Sequence, residues 1–343
     1  MGRRRRRRPA LNRLLQGVLV LDKPDGITSH DACSEVKQLL RLDKVGHAGT
    51  LDPFATGVLP LLINSATRVS RFITAGNKAY RGTIKLGIIT DTLDPTGKVL
   101  ETRPVPEISV EQFEAVADKF LGEIEQLPPI YSAVRVDGKR LYELAREGIE
   151  VERKPKKVRI DSIELLRLEG DEIEFEVHCG VGTYVRTLAD DIGEELGCGA
   201  HLQTLIRIIS GPFGIDDTVS LPELREWVEE HRALPDDLRP KRPAPEAAWW
   251  RDKLGGSLKS IFEALPDHAV LRLSPEAIER LRGGKSLRAG DLGGSVGDFA
   301  AGSPIVLADE YVAIALGKAG CRSDVARRMP AEAVVVELTR VLR

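Results

Sequence analysis

The chain has 343 residues, of which 42% are hydrophobic and 30% charged, with a net charge of −2, the profile of an ordinary globular protein rather than a disordered or fibrous one. Cores usually split beyond roughly 250 residues, so this length accommodates one large and one smaller domain. No run reaches the ~20 consecutive apolar residues of a membrane span, and the basic N-terminus lacks the apolar stretch of a secretory signal. Cys33, Cys179, Cys198 and Cys321 lie scattered without a C-x-x-C pair. This argues against a disulfide framework or zinc knuckle and for a reducing cytoplasm.

The distribution of charge says more than its sum. Arg3 to Arg8 form an unbroken run, and no acid occurs before Asp22. Residues 132–159 carry nine Lys or Arg against five acids, whereas residues 216–237 hold eight acids. Locally basic surface is what meets phosphates, so a mildly negative chain remains compatible with nucleic acid. The arginine run reads as a disordered tail, residues 1–16, that adds nonspecific affinity for polyanions.

In chain order, Val18-Leu19-Val20-Leu21 reads as a strand ended by the turn residues Asp22-Lys23-Pro24-Asp25-Gly26. Thr28 or Ser29 then caps a helix carrying Ala32, Val36, Leu39 and Leu40 at helical spacing. Residues 46–57 form a loop punctuated by Gly and Pro, residues 79–86 alternate as a strand, and residues 91–97 make another turn. A helix is expected over 110–121 and a shorter one over 141–147. Residues 158–168 and 172–179 read as paired strands, and a helix follows over 185–196. Strands and helices are interspersed without a βαβ repeat, which predicts an α+β fold rather than a doubly wound sheet. The composition then shifts: residues 227–256 are rich in charge and proline, and read as a linker or insertion. Beyond them, short apolar runs at 268–273, 305–307, 311–316 and 333–338, with a helix at 275–281, predict a small β-rich domain over 257–343.

The most informative stretch is Gly46-His47-Ala48-Gly49-Thr50-Leu51-Asp52-Pro53-Phe54-Ala55-Thr56-Gly57-Val58-Leu59-Pro60. Its glycines permit close approach or unusual backbone angles, and it presents the Asp52 carboxylate beside the His47 imidazole. An Asp-Pro step taken alone is an ordinary turn initiator. The surrounding motifs give it another meaning. Asp22-Lys23-Pro24-Asp25-Gly26-Ile27-Thr28-Ser29 precedes it. Lys78-Ala79-Tyr80, Leu86-Gly87 and Thr90-Asp91-Thr92-Leu93-Asp94-Pro95-Thr96-Gly97 follow. Then come Gln126-Leu127-Pro128-Pro129-Ile130-Tyr131-Ser132-Ala133, the segment 138–148, and Gly182-Thr183-Tyr184-Val185-Arg186-Thr187-Leu188-Ala189-Asp190-Asp191. Taken together and in this order, from residue 17 to about residue 213, these motifs closely resemble the bacterial tRNA pseudouridine-55 synthase family, TruB. The C-terminal region resembles that family's small PUA-like RNA-binding domain only loosely, through Leu281-Arg282-Gly283-Gly284.

The resemblance implies a pseudouridine-synthase fold: a mixed, mainly antiparallel sheet flanked by helices and loops, over 17–226. It implies that Asp52 is the catalytic nucleophile or base, that Arg186 pairs with it and keeps it ionised, and that Tyr80 stacks on the target base and removes a proton late in the reaction. His47 would help hold a flipped nucleotide, Tyr184 and Leu205 would line the uridine pocket, and Lys23 would support the loop and contact phosphate. The implied partner is tRNA, through its T-arm, with no membrane, no obligate protein partner and a monomeric state. The reaction retains its leaving base, so no cofactor or metal is implied, and the chain carries no P-loop, Rossmann glycine pattern or metal-ligand spacing. Leu205-Ile206-Arg207-Ile208 departs from the family's usual Leu-Arg-Arg-Thr, which removes one basic contact to RNA. A guide-RNA-dependent synthase and a tRNA-folding chaperone stand as the alternative readings.

Overall fold

In the computed structural model, residues 14–131, 135–136, 139–140, 153–240, 242–292, 297–310 and 312–342 are described. The basic run at residues 3–8, the expected helix at 141–147 and most of the basic segment 132–159 lie outside them.

Val18, Leu19, Val20 and Leu21 are all fully buried in the strand Gly17–Lys23, as an unbroken apolar run requires of a strand covered on both faces. Leu19 and Leu21 enter one core and Val18 and Val20 a second. The sheet built around this strand runs Val219–Ser220, Gly17–Lys23, Thr56–Ile63, Ala200–Ser210, Lys78–Leu86, Glu172–Cys179, Lys156–Glu169 and Gly122–Gln126. Only two neighbouring pairs on this path are parallel, Leu21 opposite Val219 and Ile206 opposite Thr56. The remainder are antiparallel, so the fold is the mixed, mainly antiparallel α+β arrangement expected. The helices Ser29–Leu39, Val110–Ala117 and Val185–Glu195 cover one face through Val36, Phe113, Leu188 and Ile192.

The second face is covered from the C-terminal end of the chain. Ile261, Leu265, Val306, Leu316 and Leu342 pack on Val18, Val20 and Leu62. A separate five-stranded sheet, ordered Ala269–Arg272, Pro304–Ala308, Ala313–Ala319, Val334–Val341 and Leu287–Arg288, surrounds its own core of Leu271, Leu281, Leu307 and Val335. The small β-rich unit is therefore present, and it docks against the strand that begins the large one.

The segment read as a linker, 227–256, is different. It holds the end of the helix Leu221–Ala233 and all of the helix Pro243–Leu254. Ala247, Trp250 and Leu254 recur at helical spacing and are all buried in the main core, which is what orders the segment. Pro243 is not a breaker here, because it stands in the first turn, where its missing N–H has no helical partner to lose. No helix among the described residues is long and apolar enough to cross a membrane.

Candidate active site

Asp52 lies in the loop between the strands Val45–His47 and Thr56–Ile63, and neighbouring elements pin this loop residue by residue. Thr28 caps the helix Ser29–Leu39 through a capping box with Asp31. Ser29 is thereby released from capping and binds the loop instead. Its buried Oγ donates to the Leu51 carbonyl at 3.0 Å and accepts from the Leu51 amide at 2.9 Å. On the other side of Asp52, the Pro53 carbonyl accepts from the Gly26 amide at 3.0 Å and from Lys23 Nζ at 3.0 Å. The Asp22–Ser29 motif is thus a clamp on the residues immediately flanking the carboxylate. Gly57 closes the loop at φ +93, where an added Cβ would stand 2.3 Å from the Arg207 carbonyl. Only glycine lets the strands Thr56–Ile63 and Ala200–Ser210 meet there.

Arg207 holds the loop from beneath. Its side chain is fully buried, with Nε donating to the Val58 carbonyl at 2.7 Å, Nη1 to Thr50 at 3.3 Å and Nη2 to Gly49 at 3.1 Å.

Asp52 and Arg186 meet directly, with Arg186 Nε 2.9 Å from Asp52 Oδ2. Arg186 stands in the first turn of the helix Val185–Glu195, and every edge of its guanidinium is engaged. Nη1 donates to Asp94 Oδ2 at 3.1 Å and to the Thr92 carbonyl at 2.9 Å, and Nη2 to the Tyr131 carbonyl at 2.9 Å. Asp94 is itself fixed: its Oδ1 accepts from Thr92 Oγ1 at 2.7 Å, the Thr96 amide at 3.0 Å and Thr96 Oγ1 at 2.6 Å. Sequence reasoning treats residues 91–97 as a turn and misses this partner. The available signal is the Asp-Pro-Thr-Gly step, whose short side chains fold on their own backbone.

The electrostatics refine the expectation for Asp52. About a third of its side chain, 35%, remains open, while burial of the carboxylate among its neighbours desolvates it and raises its pKa. Arg186 and Lys23 pull it down, and Asp94 pushes it up again. The Arg186 pairing is present, but it is shared with a second carboxylate and does not outweigh burial. The Lys23 amine is pushed down to about 8, chiefly by burial, with Arg207 acting in the same direction and Asp25 and Asp52 opposing.

The other expected site residues divide by position. Tyr80 is buried on the strand Lys78–Leu86, opposite Arg207. Burial raises its phenol, Arg207 lowers it, and Asp52 is among the groups acting on it. Leu205 is buried on the strand Ala200–Ser210, opposite Gly82. Tyr184 is the residue before the Arg186 helix, and its backbone amide and carbonyl are both hydrogen-bonded to the buried side chain of Gln126. His47 ends the strand leading into the loop and is half-buried opposite Leu61. Lys23 is corrected in one respect. It is fully buried and donates to the carbonyls of Pro24 and Pro53, so it supports the loop and does not present its charge to an outer phosphate. Ile206 is 43% exposed where the family pattern has a basic residue. Among the described residues no three His, Cys, Asp or Glu side chains converge as a metal site.

The arrangement offers a partly exposed aspartate, an arginine locked beside it and a buried phenol on a neighbouring strand. Comparison with known proteins gives a consistent picture. A family model described as the N-terminal domain of TruB family pseudouridylate synthase matches residues 37–185. A model of the tRNA pseudouridylate synthase B C-terminal domain matches residues 186–241. The chain is 48% identical to the tRNA pseudouridine synthase B of Vibrio campbellii over 242 residues, 70% of this chain and 74% of that protein. It is 42% identical to that of Vibrio parahaemolyticus, over 84% of this chain and 86% of the relative. With that of Syntrophotalea carbinolica it shares 40% identity over 88% and 91%. Among solved structures, a Cbf5-Nop10-Gar1 complex contains a chain that superposes with a TM-score of 0.71 at 25% identity, covering 98% of this chain and 88% of that one. An archaeal box H/ACA Nop10-Cbf5 complex gives 0.70 at 24%, a likeness of fold.

Proposed function

The chain belongs to the TruB family of pseudouridylate synthases, and we propose that Asp52 is the carboxylate with which it isomerises the T-loop uridine of tRNA, position 55, to pseudouridine. The observation that carries this reading is the Asp52–Arg186 pair at 2.9 Å, in a loop clamped on both sides of the aspartate. The reaction breaks the N1–C1′ glycosidic bond, rotates the uracil and joins its C5 to C1′. The C5 proton leaves and N1 gains one, so nothing is consumed. Asp52, in its ionised form, serves as nucleophile or base. Arg186 fixes its direction and offsets its charge. Tyr80 stacks on the extruded base and accepts the late proton; burial raises its phenol, and the Arg207 guanidinium offsets only part of that rise.

A uridine inside a folded loop must leave its stack, at a cost of a few kcal/mol, before it reaches such a cleft. Stacking on Tyr80, lining by Tyr184 and Leu205, and a contact from His47 offset that cost. The exposed Lys154, Lys156, Lys157 and Arg159 would meet the backbone phosphates. We assign catalysis to residues 17–226 and a PUA-like RNA-binding role to 257–343, in a monomer working in the cytoplasm without a bound cofactor. The 40–48% identity to proteins named tRNA pseudouridine synthase B, against 25% to the Cbf5 chain, favours a stand-alone enzyme over a guide-RNA-dependent one. Site-resolved pseudouridine mapping of RNA from cells lacking this protein tests the reading. Loss of the modification at the tRNA T-loop is expected, and its retention there would overturn the assignment.

A further inference from the structure

The second buried arginine of the site, Arg207, has no role in the proposed chemistry beyond its effect on Tyr80. Its position is unusual on physical grounds. Arginine is almost never fully buried unless paired, yet Arg207 is fully enclosed, and its guanidinium donates to three backbone carbonyls. Those carbonyls belong to Gly49, Thr50 and Val58. The first two precede Asp52 by three and two residues and the last follows it by six, so one planar fork joins both ends of the loop.

The surroundings add to this. Gly49 sits at φ +99, and a Cβ placed there would lie 3.6 Å from Arg207 Nη1 and 3.7 Å from Lys78 Cε. Lys78 is also buried, donating to the carbonyls of Thr74 and Gly76. Arg207 is set opposite Tyr80 in the pairing of the two strands, and its side chain is hydrogen-bonded with the Tyr80 phenol. The loop that carries Asp52 and the Tyr80 side chain are therefore referenced to the same guanidinium. A lysine at this position would keep the charge, but its single nitrogen would not reproduce the rigid three-point fork.

We propose that Arg207 is a positioning residue for the isomerisation, setting the distance between the Asp52 carboxylate and the Tyr80 phenol by clamping Gly49, Thr50 and Val58 from below. The inference rests on the assignment of Asp52 and Tyr80 given above. Misplacing a reacting group by about 1 Å costs on the order of 100-fold in rate. Arg207 itself, being fully enclosed, offers no surface for RNA to touch.

The test is Arg207→Lys in the full-length protein, with Arg207→Gln as a second variant, measured against tRNA transcript for Kd and for the single-turnover rate. The expected result is a Kd within about threefold of the parent protein and a rate lowered by roughly 100-fold, with the lysine variant recovering part of what the glutamine variant loses. An unchanged rate would overturn the proposal. So would a parallel loss of binding and turnover in both variants, because that is the signature of a residue needed only for folding. Asp52→Asn run beside them separates the two assignments: an active Asp52→Asn protein removes the reading of the site itself, whereas an inactive one with fully active Arg207→Lys removes only the role of Arg207.

Discussion

Arg186 and Asp94 form an ion pair at 3.1 Å in which both side chains are buried, at 5% and 6% exposure, although 92 residues separate them in the chain. Arg186 is therefore oriented before it meets Asp52. Asp94→Asn keeps the volume, but its amide must either face Arg186 Nη1 or give up the three bonds from Thr92 and Thr96. Removing one partner of a buried pair costs about 3 to 5 kcal/mol, and because Arg186 retains Asp52 we expect the lower end. Turnover should fall by on the order of 100-fold, as expected for a displaced arginine, with tRNA affinity nearly unchanged. Chemical denaturation and single-turnover assays check both, and a fully active Asp94→Asn protein would contradict the account.

Asp52→Asn should be at least as stable as the parent protein at pH 7. The Asp52 carboxyl is raised above its ordinary value, chiefly by desolvation. A raised carboxyl supplies its favourable contribution only while protonated, below its unfolded value of 3.8, and loses it as pH rises through the folded value. Asparagine avoids that loss. The melting-temperature advantage of the variant should be greatest near neutrality and shrink as pH falls toward 4, and scans across this range measure it.

Ser29→Ala removes two buried hydrogen bonds to Leu51. Leaving such groups unsatisfied costs about 1 to 3 kcal/mol. Because Leu51 adjoins Asp52, the variant should lose turnover as well as stability, and comparison of kcat with Kd separates this from a binding defect.

Lys23→Met tests the other side of the clamp. The Lys23 amine is lowered to about 8 from 10.5. A depressed lysine adds stability that is fully present above its unfolded value and is lost as pH falls through the folded one. The deficit of Lys23→Met relative to the parent should widen between pH 8 and pH 10.5, and denaturation at those two pH values reads it. A deficit independent of pH would contradict the lysine's depressed position.

Much of this is legible in the sequence for physical reasons. The Val18 to Leu21 run, the Thr28 cap and the alternation along Glu172–Cys179 are local signals, and each folds as its period requires. Asp52, Tyr80 and Arg186 emerge from motif order, and the structure places Arg186 2.9 Å from Asp52. What local reading does not supply are the long-range partners: Asp94 for Arg186, Ser29 for Leu51, and Arg207 for the loop carbonyls. Ser29 reads as a second capping candidate, and nothing local marks Arg207, between two isoleucines, as the buried anchor of the loop. Its parity with Leu205 along the strand is the available hint that it points inward. The helix Pro243–Leu254 escapes notice because its charges and prolines mask the Ala247, Trp250 and Leu254 face.

The central claim is that the Asp52 carboxylate performs the isomerisation, and the most direct measurement is site-resolved pseudouridine formation in tRNA transcript incubated with the parent protein or with Asp52→Asn. The account predicts modification of the T-loop uridine by the parent protein and none by the variant, with both binding the transcript comparably. Pseudouridine formed by Asp52→Asn at the parent rate would contradict it.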